Sequence, residues 1–127
     1  MSPRILIVDD EENHRKSLAI GLRLDGWEVL DAEDGESALL VLDAHEVDIA
    51  IVDLMMPGIN GLDLARRIRF RYPSVRVVLT SAYHLSERQI ERAGVGAIAF
   101  VPKPYRLEEL AWFLRDKLAT PPSAASA

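Results

Sequence analysis

The stretch Ile5-Leu6-Ile7-Val8-Asp9-Asp10 decides the fold class of this chain. Four apolar residues without polar alternation are typical of a β-strand that is buried on both faces, and such strands occur in parallel sheets covered by helices. The run then ends in two adjacent carboxylates. We therefore expect a central parallel strand whose carboxyl end carries acidic side chains.

Outward from this stretch, apolar strands and amphipathic helices alternate along the chain. Strands are predicted over residues 5–8, 27–31, 47–52, 75–81 and 97–101, and a helix follows each of them. Asp34 and Asn60 suit helix N-caps, and Ser86 with Gln89 forms a capping box for a helix that stops at Gly94. Short connections between alternating elements favour a parallel sheet. We predict a five-stranded doubly wound α/β domain, strand order 2-1-3-4-5, with five helices on both faces.

Composition excludes several classes of protein. The 127 residues include 15 Lys+Arg and 20 Asp+Glu, a net charge of −5, which disfavours nucleic-acid binding by phosphate neutralisation. No cysteine is present, so disulfides and thiolate metal sites are excluded. No apolar run approaches the roughly 18 residues of a membrane span. We predict a soluble cytoplasmic protein with no membrane contact, one domain over residues 1–119, and a flexible tail or linker start over residues 120–127.

Polar side chains follow the carboxyl ends of four predicted strands. They are Asp9 and Asp10 after strand one, Asp53 at the end of strand three, Ser81 at the end of strand four, and Lys103 after strand five. Ligands of open α/β sheets bind beyond the carboxyl ends of the strands, where the strand order reverses. In the order 2-1-3-4-5 these four strands are neighbours. The sequence therefore predicts one small pocket of three carboxylates, a hydroxyl and an ammonium.

Three carboxylates in one pocket repel one another, and each is driven toward its neutral form unless a cation lies among them. Oxygen ligands without His or Cys suit a hard ion, and Mg²⁺ commonly binds one or two carboxylates, several waters and a phosphate oxygen. We therefore expect Asp9 and Asp10 to orient Mg²⁺, with Mn²⁺ as an alternative ion. One oxygen of Asp53 and the backbone carbonyl of Met55 would complete the protein ligands.

The same pocket predicts phosphoryl transfer. A carboxylate is a competent nucleophile toward phosphorus, and the reaction mainly requires positioning and charge neutralisation around three phosphoryl oxygens. We expect the cation to bind one oxygen, Lys103 a second, and the Ser81 hydroxyl with a backbone N–H the third. Asp53 is then the residue that would carry an acyl phosphate.

Four fragments resemble the receiver domains of two-component response regulators. They are Ile7-Val8-Asp9-Asp10-Glu11, Val52-Asp53-Leu54-Met55-Met56-Pro57-Gly58-Ile59-Asn60-Gly61, Ser81-Ala82 and Lys103-Pro104. The match spans residues 3–119, and each fragment lies at a predicted strand end. The resemblance implies a flavodoxin-like fold and a phosphorylation-activated switch. It also implies that Lys103 contacts the phosphoryl group and that the Lys103–Pro104 peptide bond is cis.

The resemblance further implies a mechanism of switching. Period-two alternation lets only one of Thr80 and Ser81 point into the pocket. Ser81 is preferred because the family's hydroxyl residue precedes a small residue, here Ala82. Phe100 stands where the family keeps an aromatic residue that moves inward with the hydroxyl. Ser81 and Phe100 are thus the predicted switch pair.

The implied partners follow from the same resemblance. The phosphoryl group would come from a sensor histidine kinase or a phosphotransfer protein. The signal would leave through the surface of the fourth helix, the fifth strand and the fifth helix, toward an effector domain, an effector protein or a second copy. The chain would not be an enzyme beyond self-phosphorylation from a phosphodonor and slow autodephosphorylation.

Two other functions compete with the switch. A Mg²⁺-dependent phosphatase with an aspartyl-phosphate intermediate needs a general acid two residues after the nucleophile, where this chain has Met55. An unphosphorylated pseudo-receiver, which only binds partners, is expected to lack Asp53 or Lys103, and both are present.

Other notable side chains are predicted to lie on the surface or in the core. His14, His45 and His84 show no metal-ligand spacing and are predicted to lie on the surface. Large apolar side chains are predicted to be packing residues: Trp27, Trp112, Met55 and Met56.

Overall fold

A computed structural model describes residues 2–56, 58–82 and 99–122. Its elements are β1 (Arg4–Val8), α1 (Glu12–Leu24), β2 (Glu28–Ala32), α2 (Gly35–Ala44), β3 (Ile49–Asp53), α3 (Gly61–Arg71), β4 (Arg76–Ser81), β5 (Ala99–Pro102) and a C-terminal helix (Leu107–Lys117). All strand pairs are parallel, in the order β2-β1-β3-β4-β5. The predicted sheet and strand order are therefore confirmed. Four of the five predicted helices lie in the described ranges, and the one predicted from Ser86 to Gly94 lies outside them.

Two helix starts show why the local sequence gives these elements. The side chain of Asp34 accepts a hydrogen bond from Ser37 N–H, and that of Asn60 accepts one from Asp63 N–H. Each cap satisfies a backbone donor that has no partner inside the helix. Both predicted N-caps are confirmed.

The core consists of two apolar layers, one on each face of the sheet. Leu6 and Val8 of β1 belong to the layer under α2 and α3, while Ile5 and Ile7 belong to the layer under α1 and the C-terminal helix. Because side chains alternate along a strand, the uninterrupted apolar run of β1 fills both layers. All of β3 is buried for the same reason.

The start of α3 packs closely against the end of β3. A Cβ atom at Gly61 would clash with the carbonyl oxygen of Asp53 and would lie 2.5 Å from Leu54 Cα. Only glycine permits this approach. The contact fixes the backbone at the end of β3, where Asp53 lies.

Candidate functional site

The carboxyl ends of β1, β3 and β5 bring four charged side chains together. Val8 and Val52 are register partners on adjacent strands, so the residues that follow them lie side by side. Carboxylate oxygens of Asp9, Asp10 and Asp53 lie within 4.8 Å of one another. Lys103 follows β5 and reaches the same place. The predicted convergence of these four residues is therefore observed.

Lys103 bridges two of the carboxylates. Its Nζ atom lies 3.1 Å from Asp9 Oδ2 and 3.2 Å from Asp53 Oδ2. Asp9 and Asp53 are buried, whereas Asp10 is exposed. The cluster therefore has a closed inner side, formed by Lys103 and two acids, and an open side at Asp10.

The two buried acids differ in their proton affinity. Burial raises the pKa of Asp53, and the nearby charge of Asp9 raises it further against the opposing effects of Met55 N–H and Lys103. Burial also acts to raise the pKa of Asp9, but hydrogen bonds from Glu11 N–H, Lys103 and His14 together hold it below its ordinary value. The negative charge of the pair is thus better compensated at Asp9 than at Asp53.

Lys103 keeps its charge in this setting. Burial acts to lower the pKa of its ammonium, but the hydrogen bonds and charges of Asp9 and Asp53 raise it overall. Three carboxylates against one ammonium leave two uncompensated negative charges. That deficit equals the charge of one divalent cation.

The donor set fits a magnesium ion. It contains only carboxylate oxygens, which hard cations prefer, and its exposed member leaves room for water and a phosphate oxygen. Met55 is close by, because its N–H donates to Asp53 Oδ1 at 3.1 Å. That the Met55 carbonyl is a ligand stays a prediction.

The two candidate hydroxyls occupy successive positions of β4. Thr80 is the register partner of Asp53, and Ser81 is the register partner of Pro102. Both are buried. The Thr80 hydroxyl has no hydrogen-bond partner within the described part of the chain. The choice of Ser81 as the switch hydroxyl stays a prediction.

Two further features lie beside these hydroxyls. Phe100 is half-buried against the layer that contains Leu79, its register partner on β4. Because Ser81 lies two residues after Leu79, it shares that face of the sheet with Phe100. The Lys103–Pro104 peptide bond is cis.

Sequence reasoning missed His14 and Arg15 as site residues. His14 was predicted to lie on the surface, but its side chain is only 29% exposed and its Nδ1 lies 2.7 Å from Asp9 Oδ2. Arg15 is buried, and its Nη1 donates to the Asp9 carbonyl at 2.8 Å. Both reach Asp9 from the first turn of α1. Their places at the start of the helix that follows Asp9, five and six residues after it, are the only signal in the sequence.

The packing prediction for the large apolar residues was half wrong. Trp27 and Met56 are buried, whereas Met55 is 56% exposed and Trp112 is 71% exposed. Met55 belongs to the loop after β3, and Trp112 lies on the outer face of the C-terminal helix, opposite Leu110 and Leu114.

Within the described residues, no helix has the length and apolar character needed to cross a membrane.

A protein family and several curated proteins match this chain. A family model for the response regulator receiver domain matches residues 5–115. The chain is 39% identical over 111 residues to the response regulator MprA of Mycobacterium bovis, covering 87% of this chain and 48% of that protein. It is 32% identical over 114 residues to the probable transcriptional regulatory protein TcrX of Mycobacterium tuberculosis, covering 90% of this chain and 49% of that protein. The chain therefore spans about half the length of these curated relatives.

Solved structures give a matching fold over nearly the whole chain. A CheY-like receiver domain protein from Methanospirillum hungatei has a TM-score of 0.86 at 25% identity, with 93% of this chain and 94% of that chain covered. The response regulator TrrA from Thermotoga maritima, solved in complex with Mg²⁺-BeF, has a TM-score of 0.80 at 35% identity. That comparison covers 90% of this chain and 97% of the other.

Proposed function

This chain belongs to the response regulator receiver domains, the phosphorylation-activated switches of two-component signalling, and we propose that Asp53 is its phosphoryl acceptor. One observation carries the proposal. Three carboxylates lie within 4.8 Å of one another around a single ammonium, and Asp53 is one of the two that Lys103 contacts. A mutually close set of this composition can hold a divalent cation and, beside it, a phosphate oxygen.

Asp53 would act as the nucleophile. One of its carboxylate oxygens forms a bond to phosphorus while the N–P bond of a partner's phosphohistidine breaks, and the imidazole nitrogen keeps the electron pair of that bond. A carboxylate with a raised pKa is a stronger nucleophile than an ordinary one, provided that it is ionised. Burial of Asp53 therefore makes its ionised carboxylate a stronger nucleophile.

The other residues would neutralise charge. Asp9, Asp10, one oxygen of Asp53 and the Met55 carbonyl would hold Mg²⁺, or Mn²⁺, which supplies positive charge at a phosphoryl oxygen. Lys103 would release Asp53 Oδ2 and bind a second phosphoryl oxygen. Ser81 and a backbone N–H would bind the third. Positioning and charge compensation are the main contributions a protein makes to phosphoryl transfer.

The signal would pass from Ser81 to Phe100, which share one face of the sheet at neighbouring strands. A hydroxyl drawn toward the phosphoryl group leaves space that the half-buried ring of Phe100 can enter. The output surface would include β5 and the C-terminal helix, with an effector domain, an effector protein or a second copy as its partner. We also propose that the receiver domain spans residues 1–119 and that residues 120–127 are a tail or the start of a linker.

The test is incubation with Mg²⁺ and acetyl phosphate, followed by intact-mass measurement. The wild-type chain should gain one phosphoryl group, and Asp53→Asn should gain none. Asp48→Asn, at the opposite edge of the sheet, is the matched control and should load normally. A pseudo-receiver would gain nothing in any variant. A phosphatase would instead hydrolyse small phosphate esters over many turnovers, which would contradict the switch.

A further inference from the structure

The ring of His14 lies between the Asp9 carboxylate and the Tyr105 hydroxyl. His14 Nδ1 is 2.7 Å from Asp9 Oδ2, and His14 Nε2 is 3.1 Å from Tyr105 Oη. The two rings meet edge to face, with centroids 5.6 Å apart at 68°. Three residues from α1, from the end of β1 and from the segment after Pro104 thus form one continuous polar chain.

The chemistry of the three groups fixes the direction of the hydrogen bonds. An ionised carboxylate can only accept, so His14 Nδ1 must carry a hydrogen and donate to Asp9. In the neutral ring Nε2 then has a lone pair and accepts from the Tyr105 hydroxyl. Burial raises the pKa of Tyr105, and the charges of Asp9 and Asp53 raise it further, so the phenol stays a donor.

His14 completes the set of hydrogen-bond donors around the Asp9 carboxylate. Glu11 N–H donates to Oδ1 at 2.9 Å, and Lys103 and His14 donate to Oδ2. Lys103 also contacts Asp53, the predicted phosphoryl acceptor, and would have to bind phosphoryl oxygens during the reaction. His14 is then the donor that stays on Oδ2 when Lys103 leaves.

We propose that His14 is a positioning residue of the metal site, which holds the Asp9 carboxylate in its ligand orientation and is itself held by Tyr105. The proposal rests on the proposed function, in which Asp9 is a ligand. Groups that hydrogen-bond to ligand side chains commonly contribute tenfold to hundredfold to metal affinity. A mere packing role would need only the ring of His14, because the edge-to-face contact with Tyr105 does not require nitrogen.

The experiment is a titration of the full chain with Mg²⁺ by isothermal calorimetry. His14→Phe keeps a ring and removes both hydrogen bonds, so we expect its Kd to rise about tenfold. His14→Asn keeps an amide N–H at the place of Nδ1, so its Kd should stay within about threefold of wild type. Rescue by asparagine and not by phenylalanine separates positioning from packing.

Tyr105→Phe tests the hydrogen bond between Tyr105 and His14. It should raise Kd by about threefold in the wild-type background and leave the Kd of His14→Phe unchanged, because groups that act through one another are not additive. His45→Phe and Tyr72→Phe are the matched controls. They make the same changes at the opposite edge of the sheet, where the Tyr72 hydroxyl contacts Asp43, and Kd should not change.

A spectroscopic readout does not depend on metal. The imidazole ¹⁵N shifts of His14 at neutral pH should report hydrogen on Nδ1, and Tyr105→Phe should shift the Nε2 resonance, because that nitrogen loses its hydrogen-bond donor. Normal Mg²⁺ binding by wild type with an unchanged or lower Kd in His14→Phe would overturn this proposal alone. Wild type without Mg²⁺ affinity would overturn the proposed function as well.

Discussion

The two edges of the sheet carry charged residues in opposite arrangements. At the amino edge, Arg4 contacts Glu28 at 3.0 Å, and Asp48 Oδ2 accepts Arg4 N–H at 2.8 Å. Arg4 and Glu28 are partly exposed, so water screens their charges. Each of these two acids thus has a hydrogen-bond donor of its own, a guanidinium for Glu28 and a backbone N–H for Asp48.

At the carboxyl edge, three acids lie within 4.8 Å of one another, and one lysine contacts the two buried ones. Burial strengthens their repulsion and leaves a deficit that a cation can fill. An open cleft of about 770 Å³ lies instead at the amino edge, near His45 and Tyr72. We infer from this comparison that uncompensated buried charge, rather than cleft volume, marks the functional site of this molecule.

Replacing Lys103 should have the largest effect. Lys103→Met removes the ammonium that contacts Asp9 and Asp53, and we expect the rate of loading from acetyl phosphate to fall about 10²- to 10³-fold. Arg4→Met makes the same change at the amino edge and should leave the rate unchanged. Time-resolved intact mass at saturating Mg²⁺ measures both. Equal rates in the two variants would remove the distinction between the edges.

Neutralising one acid at each edge should separate their metal affinities. Asp9→Asn weakens the negative field and exchanges a charged ligand for a neutral one, so Kd for Mg²⁺ should rise at least about tenfold. Glu28→Gln should leave Kd within error of wild type. Calorimetric titration is the measurement, and a comparable loss in both variants would contradict a local site.

Asp53→Asn should stabilise the metal-free protein, because it removes a buried charge that Lys103 only partly compensates. We expect a gain of about 1 kcal/mol in the free energy of unfolding at pH 7, measured by urea denaturation. Asp48→Asn should change it by less than about 0.5 kcal/mol. Destabilisation by Asp53→Asn would contradict this claim, because it would show that Lys103 already compensates the charge of Asp53.

The difference in stability between Asp53→Asn and wild type should depend on pH. The folded-state pKa of Asp53 lies above its ordinary value, 3.8, so the folded state binds the proton more tightly than the unfolded state. The stability that this contributes is present at low pH and is lost as pH rises through the folded pKa. The advantage of Asp53→Asn over wild type should therefore grow from about pH 4 to pH 7. An advantage that shrinks over this range would contradict the sign of the shift.

The smallest effects concern the two hydroxyls of β4. Thr80→Val removes a buried hydroxyl without a partner among the described residues, so stability should be unchanged or higher by up to about 1 kcal/mol, with normal loading. Ser81→Ala should load but fail to pass the change to Phe100. Side-chain ¹H NMR of Phe100 with and without beryllofluoride checks this. Loss of the response in Thr80→Val instead would move the switch to Thr80.

The sequence predicted those parts of the molecule that depend on local patterns. Asp34 and Asn60 cap helices through bonds to residues three positions away, and the acids after buried strands must meet once the sheet is parallel. The contact of His14 with Tyr105 could not be predicted, because neither residue directly follows a buried strand, whereas Lys103, which is even farther from Asp9 in sequence, lies at a strand end. Only the packing of α1 against the sheet brings the two rings together.

The acceptor residue itself is the most direct test. Borohydride reduces an aspartyl phosphate to homoserine, so the chain can be loaded with acetyl phosphate, reduced, digested and sequenced by mass spectrometry. We predict homoserine at position 53 alone, and only when Mg²⁺ is present during loading. Homoserine at position 9, 10 or 48, or equal labelling without Mg²⁺, would contradict the account.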